Sequence, residues 1–501
     1  MINGFLRCAA VSAALGLFAL PGAAQDVTLT SRDGTLSISG MFQGYDGEVF
    51  RVMTDYGLLT VDGEGVVCDG PACPDLTSFV ADVRVVGEAD AGRRMLPPLL
   101  SAFAAARGFV MTTKEATFVL AEPTTGRVVA RFAFEPRAPE TATEAVRLGV
   151  ADLALAATDQ PDLSALTLGL EALVAVVSPQ NPVRSLATAD LARALSGQIS
   201  NWQDLGGPDM PVVVHALKDG TGFRSALEAR LGQAVVATEL HDTQEGLDAA
   251  VGRDPWALAV TTGSSVLMAQ VLTLMDSCGF ALSPTTMAVR AGDYPLTLPF
   301  FVLAPKRRLP LVAREFLEFL EAPGSQPAIA EAGLIDRQAE RAALLADGQR
   351  LANAIRALGP DVPVEEVQRL AVAMSGAERL SLTFRYKDGG QDLDAASQGA
   401  LAALVRLIET GGFSDMDLTF AAFSEGGGDG TATLAQSQQR ADALLEAVAA
   451  AVPDLGDLRV TLRSQAFGDA LPIACDESPI GRQLNRRVEV WLRPSTGSAA
   501  P

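Results

Sequence analysis

The chain has 501 residues, with 60 acidic against 39 basic side chains and a formal charge of −21. That length leaves room for roughly three domains with cores of their own. The acidity argues against nucleic acid and anionic lipid as partners, but not against a small anion, which local backbone N–H groups can hold.

The N-terminus reads as an export signal: Arg7 gives a positive start, Cys8 to Leu20 is apolar, and Gly22-Ala23-Ala24 supplies small residues before Gln25. Residues 1–24 are expected to be removed and the rest exported. The apolar run is too short to span a bilayer, no cysteine sits at the cleavage point, and no later stretch is long and apolar enough to cross.

Residues 26–76 alternate in short runs such as Val27-Thr28-Leu29-Thr30 and Val49-Phe50-Arg51-Val52, punctuated by Asp33-Gly34, Asp46-Gly47 and Asp62-Gly63. They predict a small N-terminal β-barrel of SH3-like type, an interaction or cover module. Cys68 and Cys73 flank a turn-forming insert, and an oxidising compartment predicts a local disulfide between them. A metal site there would lack ligands. His215 and His241 are the only histidines, neither neighbours another plausible ligand in sequence, and no metal or cofactor is expected. Cys278 and Cys475 fall in different predicted domains and are expected as packing residues or free thiols.

From 81 to 337 strands and helices alternate, which is α/β layering. Val83-Arg84-Val85-Val86 and Leu173 to Val177 read as strands, Leu186 to Leu195 as an amphipathic helix, and Val212-Val213-Val214 as a strand running through a Gly-rich turn into a helix. Residues 338–376 are Ala-rich and helical and predict a linker or short spacer. Residues 378–495 alternate again: strands at Leu380–Phe384, Met416–Phe420, Leu458–Leu462 and Val488–Leu492, helices at Ser397–Glu409 and Leu434–Val452. They predict a four-stranded α+β domain. Residues 496–501 are expected to be a disordered tail.

Several segments of 81–337 resemble the periplasmic phosphate-binding proteins of ABC transporters, the PstS family. They are Ser178 to Val183, the run Leu195-Ser196-Gly197 through Asn201-Trp202 to Leu205-Gly206-Gly207-Pro208, and Tyr294 to Pro299. The resemblance implies a multidomain chain whose centre is a two-lobed periplasmic-binding-protein fold with a ligand in its cleft. Asp219-Gly220-Thr221-Gly222-Phe223 aligns with the family's anion-binding loop, where a strand meets a helix N-terminus. Leu217 stands where the family has an arginine, with Lys218 and Arg224 as nearby cations. Thr158-Asp159 matches the family's Ser-Asp turn. The first loop departs: Glu88 and Asp90 replace hydroxyls and are followed by Arg93 and Arg94. Those carboxylates repel phosphate unless the arginines offset them, or select a cationic or hydrogen-bonding ligand instead. The candidate anion site is Thr158, Asp159, Lys218, Gly220, Thr221, Gly222 and Arg93, with turn and cap chemistry as the alternative role for Thr221 and Asp159.

Phe423-Ser424-Glu425, Gln439-Arg440-Ala441 and Gly481 to Val490 resemble the OmpA-like peptidoglycan-binding domain, over essentially all of 378–495. The resemblance implies that an acidic side chain and an arginine grip the ammonium and carboxylate of diaminopimelate in the wall's stem peptide. The matching positions are Glu425 and Arg440, fifteen apart (425 to 440) as in the family, with Ser424 and Arg487 as further candidates. Glu425 is a methylene longer than the family's aspartate. For Arg486 and Arg487 a structural ion pair is the competing role.

With no Ser-His-Asp order, metal cluster or Walker loop, the chain is expected to be a binding protein and not an enzyme. It would be a wall-tethered periplasmic receptor for phosphate or a related small anion, associated with peptidoglycan and the outer membrane. Its partners would be peptidoglycan, the solute, and an ABC transporter permease or envelope protein. The alternative is a scaffolding envelope protein whose receptor-like domain docks a protein and binds no solute.

Overall fold

The computed structural model describes residues 26–76, 78–218, 222–343, 348–358, 362–387, 392–426 and 430–495. The export signal, the 496–501 tail and the candidates Gly220 and Thr221 lie outside these. Among the described residues no helix is long and apolar enough to cross a membrane. The chain divides into two compact units, one ending at Ala81 and one holding nearly all the rest.

The first unit is a five-stranded antiparallel sheet in the order Gly57–Asp62, Val49–Thr54, Ser37–Tyr45, Val27–Ser31, Val66–Asp69. No pairing among the described residues joins its two edges, so a closed barrel is not formed there. Val27, Leu29, Phe50 and Val52 alternate inward to make its core, as the period of two requires. Cys68 and Cys73 form the expected disulfide.

Among the described residues the second unit contains three sheets: a small one of Ser185–Ala187, Thr273–Met275 and Ala281–Leu282, and two larger ones. The larger of these two is built around two long antiparallel strands, Ser164–Val177 and Thr297–Ala304. The first half of Ser164–Val177 pairs with Thr297–Ala304, whose other edge takes Leu153–Ala156 and then Ala81–Gly87. The second half pairs with Ala257–Thr262, which leads to Val213–Leu217 and the edge strand Glu239–His241. Two lobes thus share crossover strands and one continuous sheet. Leu170 to Val177 is buried throughout, as a strand covered on both faces must be. The Asn201-Trp202 run is structural: Trp202 is fully buried and its indole N–H donates to the Trp256 carbonyl at 2.9 Å.

The smaller sheet runs Arg341–Ala343, Glu378–Arg385, Arg487–Pro494, Met416–Phe423, Thr461–Ala466. It has five strands where four were expected, because the segment read as a spacer contributes one. That segment also supplies the helices Gly348–Arg356 and Val364–Met374, whose Ala354, Leu370 and Met374 pack on Phe423, Phe467 and Trp491. The other sheet face packs Phe420 and Ala422 against the helices Ala395–Glu409 and Gly430–Ala451. The stretch 338–376 is therefore core, and its hydrophobic face would cost about 1.5–3 kcal/mol per large side chain to expose.

The two sheets are not independent modules. Ile473, Ala474 and Leu484 belong to the same core as Leu173, Leu195 and Trp202. Cys278 and Cys475, expected unpaired, are disulfide-bonded across a sequence separation of 197. The expectation failed because sequence distance hides spatial proximity. Closing so long a loop removes unfolded-state entropy worth about 5 kcal/mol in the chain-entropy picture. The short helix Pro479–Asn485 seats tightly beside it: a Cβ on Gly481 would lie 1.8 Å from the Cys475 carbonyl oxygen, so only glycine fits.

A buried charge network completes the joint. Asp293, just before the second crossover strand, receives Arg379 at 2.7 Å and Arg385 at 2.9 Å. Glu489, fully buried on the smaller sheet, pairs with Arg350, with Arg487 at 2.6 Å and with Arg379 at 3.3 Å, and accepts from the Trp491 indole at 3.0 Å. Burial pushes both carboxyls up. The arginines outweigh it and hold each below the usual carboxylate range. Removing one partner strands the others without water. Asp293→Ala should therefore lower unfolding stability by about 3–5 kcal/mol in urea denaturation, whereas cutting the exposed Asp415–Arg459 pair should change it far less. Because the folded carboxyl values are depressed, the network's contribution is present above the unfolded value near pH 4 and is lost as pH falls below it.

Candidate functional site

Two regions gather chemistry. The first is the cleft between the lobes, a cavity of about 160 Å³ lined by Glu88, Arg94, Thr158, Glu171, Gly222 and Thr262 among others. Glu88 ends the strand Ala81–Gly87 and stands at the N-terminus of the helix Ala89–Ala106. Its carboxylate reaches across and accepts a hydrogen bond from the Gly222 N–H, at the first residue of the helix Gly222–Leu231. A Cβ on Gly222 would come within 2.9 Å of that carboxylate oxygen, so glycine permits the approach. A helix N-terminus is where an oxyanion would be held, and here the chain's own carboxylate holds it.

The cleft's charge balance is acidic. Arg94 pairs with Glu171 and reaches Ser264 at 3.5 Å, so its charge is largely spent within the chain. Glu88 is pushed up to about 7, by burial first and then by Asp90, Glu171 and Glu140. The Gly222 N–H pulls the other way by favouring the carboxylate.

The expected anion-site residues scatter. Thr158 lines the cleft, but Asp159 is exposed and lines a neighbouring cavity instead. Lys218 is exposed and paired with Asp242 at 2.6 Å. Arg93 points to Asp90 at 3.1 Å on the surface. Arg224 serves Glu228 and the Val235 carbonyl, bracing its own helix. Glu171 and Arg94 escape a reading of the sequence as a pair, since 77 positions separate them along the chain. The available signal was a lone carboxylate inside the otherwise apolar run Leu168 to Val177.

The second region is in the smaller sheet. Ser424 and Glu425 follow the strand Met416–Phe423, and Arg440 lies on the helix Gly430–Ala451. Among the described residues the buried Ser424 hydroxyl, Glu425 Oε2 and Arg440 Nη1 make no hydrogen bond. Arg440 is 6% exposed and sits 5.2 Å over the Tyr386 ring, whose hydroxyl donates to the Arg440 carbonyl at 3.1 Å. Burial lowers the Arg440 guanidinium's proton affinity, with Glu425 acting against it. Glu425 has Arg486 at 3.5 Å, and the Gly426 N–H donates to Asp476 at 2.8 Å, fixing the backbone there. Buried polar atoms left without a hydrogen bond are costly unless something satisfies them.

Arg487 is not part of this cluster. It is fully buried, pairs with Glu489, donates to the Leu471 carbonyl at 2.8 Å and lies 4.2 Å over the Phe423 ring. Its ligand-contact role gives way to the structural one, because the strand Arg487–Pro494 turns it inward. Tyr386 and Arg486 also line a cavity of about 890 Å³ whose other walls include Thr158, Asp159 and Arg230 of the two-lobed part of the fold.

The histidines, read as lacking a neighbouring ligand, are adjacent in space: His215 Nδ1 and His241 Nε2 lie 3.0 Å apart with Glu239 beside them. Parallel pairing of their strands brings them together.

Since a carboxylate competes with any anion at the Gly222 N–H, Glu88→Gln should bind inorganic phosphate about tenfold or more tightly than the wild type near pH 8, read by calorimetry on the full chain. Near pH 5.5, below the raised value of about 7, wild-type Glu88 is protonated and the difference should close. Equal affinities at both pH values would show that Glu88 does not control the cleft.

Comparison with known proteins adds the following. Residues 96–322 match the family model described as a PBP superfamily domain. Over 190 residues the chain is 24% identical to the phosphate-binding protein PstS of Bacillus subtilis (strain 168), covering 37% of this chain and 62% of that protein. The match thus spans less than two thirds of that relative's length. Among solved structures, an ABC-type phosphate transport receptor from Vibrio cholerae is 20% identical with a TM-score of 0.41, covering 50% of this chain and 98% of that one. PstS from Borrelia burgdorferi is 13% identical with a TM-score of 0.37, covering 51% and 98%. Residues 96–322 accordingly form a domain similar to the PBP superfamily.

Proposed function

We propose that the chain is an exported, envelope-located binding protein that grips peptidoglycan stem peptides through its C-terminal sheet and carries a periplasmic receptor domain for a small anion. The observation that carries the wall-binding reading is that Ser424 Oγ and Arg440 Nη1 are buried with no hydrogen-bond partner among the described residues, beside a Glu425 carboxylate that meets Arg486 at 3.5 Å. A ligand bearing an ammonium and a carboxylate on one carbon would satisfy both charges at once, the first on Glu425 and the second on Arg440. Diaminopimelate has that group. Tyr386 holds Arg440 in place from behind, so the arginine needs little ordering on binding.

The receptor reading rests on the superfamily match and on the relative named as phosphate-binding. The named relatives are receptors, which favours a binding protein over an enzyme, and an ABC transporter permease is the partner their names suggest. One observation favours a second reading, a scaffold that binds no solute: Glu88 fills the helix N-terminus that an oxyanion would need. Phosphate titration of wild type and Glu88→Gln separates the two, since a scaffold would bind in neither.

Purified sacculi should pull down the full chain. Arg440→Ala should weaken that binding by about tenfold or more, the value of a charge-assisted hydrogen bond. Arg459→Ala, on an exposed pair, should leave it unchanged. Wild-type binding by Arg440→Ala, with folding intact, would reject the assignment.

A further inference from the structure

We propose that His215, His241 and Glu239 form a binding site for a borderline divalent cation of the zinc type. His215 lies on the strand Val213–Leu217, and Glu239 and His241 on the parallel edge strand. Register sets His215 opposite Glu239 and Leu217 opposite His241, so the period of two puts all three ligand side chains on one face. One ligand atom from each lies within 4.8 Å of the others.

Several features go beyond proximity. The facing nitrogens, His215 Nδ1 and His241 Nε2, are 3.0 Å apart. Two nitrogens bound at about 2.05 Å in a tetrahedral site stand about 3.3 Å apart, so a small opening of the pair admits an ion. The rings stack at 5.2 Å with 7° between planes, and His215 is 3% exposed, so one ligand is fixed while the exposed Glu239 and half-buried His241 can adjust. On the far side of His215, Nε2 has no hydrogen-bond partner among the described residues, and the Asp254 carboxylate stands 3.5 Å away. A carboxylate there favours the proton on Nε2 and leaves Nδ1 as the lone-pair donor, the usual arrangement behind a metal-bound imidazole. Two imidazoles and a carboxylate suit zinc, with a fourth position left for water.

The site would tie the edge strand to its neighbour, which leads directly toward the helix beginning at Gly222. Its competitors are few: the chain has two histidines in all, and the four cysteines after the export signal are in disulfides.

The test uses untagged full-length exported chain and Zn(II) alone. Calorimetry should show one saturable equivalent, with a rise in melting temperature. Co(II) should give the visible absorption of a tetrahedral site. Zinc should also protect both histidines from diethyl pyrocarbonate, a readout that no other imidazole in the chain can confuse. His241→Gln, at a half-buried position that should not unfold the lobe, should weaken zinc by well over tenfold. Asp254→Asn should weaken it by about tenfold, as loss of an orienting carboxylate does. Absence of saturable binding, or undiminished binding by His241→Gln, would overturn the proposal.

Discussion

Asp293 and Glu489 hold four arginines in an interior closed to water, and the arrangement of the second unit depends on that pairing. Neither carboxylate can leave without stranding guanidinium groups that cannot lose their charge at accessible pH. Asp293 belongs to the crossover region of the two lobes and Glu489 to the last strand of the smaller sheet, with Arg379 touching both. A hydrophobic contact could join the same surfaces but would tolerate sliding. Fork-shaped guanidiniums meeting fixed carboxylates set one register. The Cys278–Cys475 disulfide and the shared core at Ile473 and Leu484 then act on surfaces already aligned.

That fixed joint sharpens the contrast between the two candidate sites. At Ser424 and Arg440 buried polar atoms make no hydrogen bond among the described residues, and Glu425 meets Arg486 at 3.5 Å, so the local energy favours a ligand that completes them. In the interlobe cleft the reverse holds: Gly222 already has its acceptor in Glu88, and Arg94 has Glu171. A solute there must displace internal partners, and its affinity is reduced by what those partners contributed. The two-lobed frame can therefore keep its shape while polar groups in its cleft are paired with one another.

The two-lobed frame was legible because its signals are local. Apolar runs such as Leu173 to Val177, the Asn201-Trp202 turn and the Gly-rich entry to the helix at Gly222 depend on neighbours a few residues away. The Cys68–Cys73 pair was legible for the same reason. What escaped depends on contacts between distant residues: Cys278 with Cys475, Arg94 with Glu171, His215 with His241. Residues 338–376 were misread as a spacer because Ala-rich helical composition suits a solvated stalk or a packed helix equally well. Only Arg350 reaching Glu489, and Leu370 and Met374 meeting Trp491, decide the matter. At Arg487 the motif was visible but the direction of its side chain was not.

The Cys278–Cys475 bond also sets how force moves through the molecule. A flexible tether absorbs a pull by straightening, and its reach follows chain statistics. Here the smaller sheet is bolted to the second lobe by a covalent bond whose path bypasses the crossover strands. A load applied near Arg440 reaches that lobe through the disulfide as well as through the crossover strands. The sheet and the lobe must travel as one body, and whatever restrains one fixes the orientation of the other.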